Sequence, residues 1–288
     1  MLKWVAALPL RVLYGFADFI YPVVYHIIGY RKRVVRQNLR EAFPDKSALE
    51  LRKIEKEFYR FLCDTIVETV KLLHISDRQL MKRVEIANPE AVTETIDAGR
   101  SAALLLGHYG NWEWVQEISR CFPDTSFKSS IYHPLNNKLW DNIYKIIRSR
   151  WHSHIIPMKA APRQLLDKSH QPWICGFIAD ARPRKTDRDN QVEFLNHLTS
   201  FIYGPEIIGD KVGADFFFLE MERIRRGHYR ITFHKLQKEG TRSFPATRAF
   251  WKEFEQAIKK KPAYWLWSHK RWKYDKVINT TPAEECRR

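Results

Sequence analysis

Ala102-Ala103-Leu104-Leu105-Leu106-Gly107-His108-Tyr109-Gly110-Asn111-Trp112-Glu113 is the most informative stretch of this chain. The unbroken apolar run 102–106 suits a strand covered on both faces. Gly107 and Gly110 allow the chain to turn sharply after it. Residues 112–121 then read as helical, with Asn111 as a plausible cap that puts Glu113 in the first turn. Upstream, residues 48–74 form a long amphipathic pattern in which Ile54, Phe58, Phe61/Leu62, Ile66, Val70 and Leu73 recur at helical spacing. Asn88-Pro89 reads as the cap and first turn of a shorter helix that Gly99 ends. Downstream, extended readings at 127–132, 154–158, 173–179, 214–222 and 228–236 alternate with helical ones at 136–149, 161–168, 205–212 and 246–260. Leu139, Ile143 and Ile146/Ile147 mark the apolar face of the first of these helices. A charged loop fills 181–191. Strands alternating with helices predict an α/β fold, a mixed but largely parallel sheet flanked by helices.

The chain has 288 residues, 44% hydrophobic and 28% charged, which fits a globular protein and excludes a mostly disordered one. Its formal charge is +16, with 10 Trp, 12 Tyr and 17 Phe. Such a surface suits nucleic acid or an anionic membrane. No helix-turn-helix, zinc-finger or RNA-binding signature accompanies the charge, so no nucleic-acid partner is expected. Basic runs at 31–36, 182–188, 223–226, 259–261 and 270–273 read either as solvated faces or as surfaces for anionic partners. Cys63, Cys121, Cys175 and Cys286 are widely spaced and read as reduced thiols. His152 and His154 lack a carboxylate at metal spacing, and no metal is expected.

Trp4 to Tyr30 is mostly apolar and aromatic, broken by Arg11, Asp18 and His26, and followed by Arg31-Lys32-Arg33 and Arg36. A charge at the centre of a spanning helix costs about 3 kcal/mol. Asp18 therefore disfavours a span over 4–22, the window 12–30 with Asp18 and His26 is borderline, and no cleavage site follows a short apolar core. The basic flank favours the cytoplasmic side of a membrane. The expected arrangement is a helix lying in, or dipping into, the inner face of a membrane. A buried helix is the alternative. Trp265, Trp267 and Trp272 suit either a membrane-interface belt or the core.

Ligand sites in α/β sheets lie past the carboxyl ends of strands, where His108 falls. On one continuous helix His108 and Glu113 would point about 140° apart. With His108 in the loop, the Glu113 carboxylate can turn back to the imidazole. That pairing would make a general base: the ring takes a proton from a hydroxyl and the carboxylate fixes its tautomer. There is no G-x-S-x-G elbow, so direct attack by a substrate hydroxyl is favoured over an acyl-enzyme. A His and a Glu at this spacing also occur in loops without chemistry, and spacing alone leaves both readings open.

The wider text is more specific. The H-x4-D/E pattern resembles that of the glycerolipid and lipid A acyltransferases. Tyr30-Arg31 through Val35-Arg36-Gln37-Asn38-Leu39 and Ala42-Phe43-Pro44 resemble the N-terminal block of the bacterial lipid A biosynthesis acyltransferases, the late lauroyl/myristoyl-type enzymes. Residues 107–113 resemble their catalytic block and Tyr132-His133-Pro134-Leu135-Asn136-Asn137 their second. Ala179-Asp180, Phe194-Leu195, Thr199 and Gly204-Pro205 resemble their third, and Tyr264-Trp265-Leu266-Trp267-Ser268-His269-Lys270-Arg271-Trp272-Lys273 their last.

The resemblance spans roughly residues 8–274. It implies a glycerol-3-phosphate-acyltransferase-like fold, with residues 1–40 as a membrane-anchoring helical segment and 41–288 as the acyltransferase domain. It implies an acyl carrier protein thioester as donor, with no cofactor, and a saccharolipid hydroxyl as acceptor at the cytoplasmic face of a bacterial inner membrane. His108 and Glu113 would be catalytic, and Asn111, His133, Asp180 and Arg182 would bind substrate. His133 stands where the family usually has Arg, and a histidine carries a positive charge only when protonated. Ala181 stands where the family usually has Gln, and Arg182 or Arg184 is the candidate replacement cation. Acylation of a lysophospholipid or aminolipid, with an acyl carrier protein or coenzyme A donor, and a non-catalytic lipid-binding role are the alternatives. Chain length, acceptor position and oligomeric state are not encoded legibly.

Overall fold

A computed structural model describes residues 2–134, 138–148, 150–151, 153–168, 170–184 and 188–278. Leu135, Asn136, Asn137, His152 and Cys286 lie outside the described residues, as do residues 185–187 of the charged loop and the side chain of Leu139.

The chain opens with helices α1 (Leu2–Ala7) and α2 (Leu10–Pro22), and α2 continues into a π-helical turn, Val23–Ile28. Gly29, at φ +62°, ends that segment. Helix α3 (Lys32–Ala42) leaves at 90° to it. Among the described residues no single helix is long and apolar enough to cross a membrane; only this bent pair has the length and composition together. Helix α4 (Ala48–Lys71) starts at a reciprocal cap between Ser47 and Glu50. The buried Lys71 ammonium donates to the carbonyls of Ala6 (2.9 Å) and Leu8 (2.8 Å), which fixes the joint between α1 and α2.

Then follow α5 (Asp77–Met81), β1 (Val84–Ile86), α6 (Glu90–Asp97) and β2 (Ala102–Leu106). Asn88 does not cap α6. Its amide clasps the backbone of Phe233, donating to the carbonyl and accepting from the N–H. A 3₁₀ segment, Trp114–Cys121, stands where a helix from 112 is expected. After it come β3 (Phe127–Tyr132), α7 (Lys138–Arg148), β4 (His154–Pro157), α8 (Ala161–Asp167) and β5 (Trp173–Ile178). A hairpin absent from the sequence reading, β6 (Gln191–Phe194) and β7 (His197–Ser200), precedes α9 (Gly204–Lys211). Strands β8 (Asp215–Arg225) and β9 (His228–Lys235), helix α10 (Pro245–Lys260) and the short β10 (Lys276–Val277) complete the described chain.

Seven strands form one sheet in the order β1-β9-β8-β2-β5-β3-β4. Every neighbouring pair is parallel except β8 with β9. The sheet is therefore mixed and largely parallel, with helices packed against it. Strand β2 lies in the middle, and its alternation feeds two cores. Ala103 and Leu105 pack with Phe177, Phe218, Phe250 and Phe254 on one face. Ala102, Leu104 and Leu106 pack with Ile174, Phe217 and Ile231 on the other. A second sheet, β10-β7-β6, is antiparallel.

Trp265, Trp267 and Trp272 are all buried and belong to the core, which decides between the two readings of these rings. The basic run 223–226 is partly structural, because Arg223 (2.7 Å) and Arg226 (2.6 Å) both hold the buried carboxylate of Asp64. Arg226 also reaches Asp18 (2.7 Å), so the acidic residue inside the apolar N-terminal segment is paired.

Candidate active site

Parallel register builds the site. β2 and β5 pair with Leu106 opposite Ile178, and the Ala179 N–H donates to the Leu106 carbonyl at 2.7 Å, which carries the pairing one step past the strand ends. The next residues to meet are His108 and Asp180. The His108 Nδ1 lies 2.7 Å from one Asp180 carboxylate oxygen, and the His108 backbone N–H donates to the other at 2.9 Å. The Trp265 indole N–H adds a third contact to Asp180, at 3.0 Å.

The carboxylate on the imidazole is thus that of Asp180, and the expected pairing with Glu113 is corrected. Glu113 turns instead to Arg148, in the last turn of α7, in a two-point contact of 2.6 and 3.1 Å. Both side chains are largely buried. Glu113 stands at the N-cap position of the 3₁₀ segment, where Arg148 of α7 takes its carboxylate while its charge still acts on His108.

Asn111 is also reassigned. It is fully buried, and its amide donates to Glu68 at 2.6 Å, so it neither caps the next segment nor faces an open site. His133 is exposed at the end of β3, with its ring on the Pro134 carbonyl. Arg182 is exposed, donates to the Lys270 carbonyl and lies over the Tyr274 ring. Neither has a contact with His108 or Asp180 among the described interactions. The site gathers His108, Asp180, Glu113 and Arg148. Arg148 is the member the sequence reading missed, and its only signal is a cation at the end of an amphipathic helix.

Two glycines of the loop are sterically required. Gly110 has φ +62°, and a Cβ there would meet the Met221 carbonyl oxygen at 2.3 Å. A Cβ on Gly107 would meet the Phe254 ring at 2.2 Å. The last sequence block clamps the loop from outside: the Gly110 N–H donates to the Tyr264 carbonyl (3.0 Å), and the Leu266 N–H donates to the His108 carbonyl (3.1 Å).

Burial alone would push the His108 pKa down, but the Asp180 charge and hydrogen bond, with help from Glu113, carry it above the ordinary value of 6.5. Burial likewise works against an ionised Asp180, yet His108 and Trp265 bring its pKa down to about 2. With Nδ1–H held on Asp180, the neutral ring presents its Nε2 lone pair as a proton acceptor. The His108 side chain is 24% exposed, so reagents can reach it. The His269 ring, 6.5 Å from that of His108, is held neutral chiefly by burial, with its pKa down to about 4. Burial also pushes the thiols of Cys63 and Cys175 up, to about 11 and about 12, which makes them poor nucleophiles.

Beside the pair runs a narrow apolar cavity of about 50 Å³. Its walls include Leu104 and Leu106 of β2, Ile174, Gly176 and Ile178 of β5, and Trp112, whose ring meets His108 edge-on at 5.2 Å. Among the described residues, no group of His, Cys, Asp and Glu could hold a metal ion.

A search of curated proteins gave no match. The sequence profile of the bacterial lipid A biosynthesis acyltransferases matches residues 1–274, which takes in the strand, the loop, Asp180 and the clamping block. The chain belongs to the bacterial lipid A biosynthesis acyltransferase family.

Proposed function

We propose that the protein moves a fatty acyl group from an acyl carrier protein thioester to a hydroxyl of a lipid A precursor. The observation that carries this reading is the 2.7 Å contact of His108 Nδ1 with Asp180 at the end of the central strand. The acceptor hydroxyl gives its proton to His108 Nε2 as its oxygen attacks the thioester carbonyl carbon. Asp180 fixes the ring and, with Glu113, stabilises the imidazolium. Collapse of the tetrahedral intermediate breaks the C–S bond, and the imidazolium returns the proton to the departing sulfur. An ester and a free carrier thiol result, with no acyl-enzyme. The apolar cavity beside Trp112 is the proposed seat of the acyl chain. At about 50 Å³ it is far below the roughly 300 Å³ of a small-molecule pocket, so it opens when the chain enters.

The same reading places the protein on the cytoplasmic face of an inner membrane. It is supported by the exposure of Trp4, Phe16, Phe19, Ile27 and Ile28 on the N-terminal helices. Basic residues of the flank, Arg31 and Arg33, are exposed beside them.

Mass spectrometry of lipid A from cells with the wild-type gene, with His108→Ala and with a deletion tests the proposal. Loss of one acyl mass in both mutants is the expected outcome. Unchanged lipid A in both would refute a lipid A acceptor and direct the search to a missing phospholipid or aminolipid. A deletion phenotype that His108→Ala does not share would refute the base and favour a non-catalytic role.

A further inference from the structure

Glu68 takes no part in the proposed proton transfer, yet it is fully buried at the centre of a polar cluster beside the site. Its carboxylate accepts from the Tyr14 hydroxyl of α2 (2.7 Å), the Asn111 amide (2.6 Å) and the Tyr229 hydroxyl of β9 (2.7 Å). Its backbone carbonyl accepts from the Trp114 indole N–H (3.2 Å). Asn111 and Trp114 flank Trp112 and Glu113, so one residue of α4 grips the chain on both sides of Trp112, whose ring meets His108 edge-on. Arg223, itself held on Asp64, supplies the charge that partly offsets burial of this carboxyl. Burying an ionisable group opposes folding unless the group is paired, and here three donors from three separate segments converge on the one carboxylate.

We propose that Glu68 is a positioning residue for the reaction. Through Asn111 and Trp114 it sets the conformation of residues 107–113, and through Tyr14 it ties that loop to the helix whose outer face carries Phe16 and Phe19. The role rests on the acyltransferase reading of His108. The bonds themselves do not, and this allows the two to be tested apart.

The full chain is studied in detergent micelles as wild type and Glu68→Gln. The low-field proton NMR signal of His108 Nδ1–H, assigned by its loss in His108→Ala, reports the ring's contact with Asp180 without any substrate. Turnover of an acyl carrier protein thioester with a lipid A precursor gives kcat and KM. Thermal melting gives the folded fraction. Glu68→Gln is expected to shift or broaden the His108 signal. It should also lower kcat about tenfold or more, as misplacement of a reacting group does, with KM changed by less than about twofold. Should the Glu68→Gln chain fail to fold, Asn111→Ala breaks the same link from the loop side and is expected to move the same signal. An unmoved His108 signal in a folded variant overturns the proposal, as does a fall in kcat fully matched by a fall in folded protein. If the wild type shows no turnover, the acyltransferase reading falls, while the His108 signal still decides the role of Glu68.

Discussion

In the proposed mechanism His108 takes a proton only when its ring is neutral, so its environment would set the acid limb of the reaction. The carboxylate of Asp180 raises the pKa above 6.5 by stabilising the protonated ring. The fraction of neutral base therefore rises with pH through a midpoint above the ordinary histidine value. Asp180→Asn removes the stabilising charge, so the midpoint of kcat/KM against pH should move down, while the plateau falls on the order of 10²- to 10⁴-fold. A midpoint that stays in place would show that another group governs the limb. His108 is legible as a candidate base because it follows the apolar run at a strand end and because the surrounding motifs resemble the family's catalytic block. Its partner was not legible as such. The sequence shows Glu113 close by, whereas the contact with Asp180 depends on which strand lies beside β2 and in what register. Arg148 was hidden for the same reason, since nothing local says that the end of α7 returns to Glu113.

Among the elements, β2 and β5 do most to shape the site. Their apolar residues on one face wall the cavity, and Gly176 leaves a gap in that wall. A Cβ at Gly176 would meet Leu106 and Ser130 at an ordinary 3.9 Å, so the position tolerates a side-chain carbon without displacing its neighbours. Gly176→Val should shorten the preferred acyl chain. Losing room for two methylenes is worth about 1.6 kcal/mol, on the order of tenfold in preference between chain lengths. Donors of graded length, compared by kcat/KM, would check this, and an unchanged profile would place the acyl chain elsewhere. Most elements of the main sheet could be read from apolar runs and helical spacing. The hairpin of β6 and β7 could not. Its turn residues, Leu195 and Asn196, both have positive φ (47° and 61°), and no glycine marks the turn. Leu195 holds that conformation while buried, with its N–H donated to Glu255 at 3.0 Å. Tertiary contacts thus impose a turn that local propensity does not announce.

Across the whole molecule, the N-terminal helices are fastened to the sheet by polar contacts and present apolar rings outward. Phe16 is 49% and Phe19 73% exposed, on a helix pinned through Tyr14 to Glu68 and through Asp18 to Arg226. Replacing both phenylalanines by Glu should leave melting nearly unchanged, because neither ring is in the core. Binding to vesicles of anionic phospholipid should weaken on the order of 10²- to 10⁴-fold, since each of the two buried rings is worth about 1.5–3 kcal/mol. Sedimentation with vesicles measures this, and undiminished binding would assign the membrane contact to another face. The sequence supplied the apolar segment and its basic flank, but not its geometry. The break and the 90° turn come at two left-handed residues, Gly29 (φ +62°) and Arg31 (φ +51°). The tryptophans of the last block read equally as belt or core until the fold showed what they cover.

The clamp on the catalytic loop also has a temporal meaning. His108 and Asp180 leave the ribosome well before Trp265, which holds Asp180, Leu266, which holds the His108 carbonyl, and Tyr264, which holds Gly110 of the same loop. A nascent or prematurely terminated chain lacking that block carries the base and its carboxylate without the contacts that hold them in place. Such a fragment is expected to be silent, so interrupted translation would not release an active but truncated transferase.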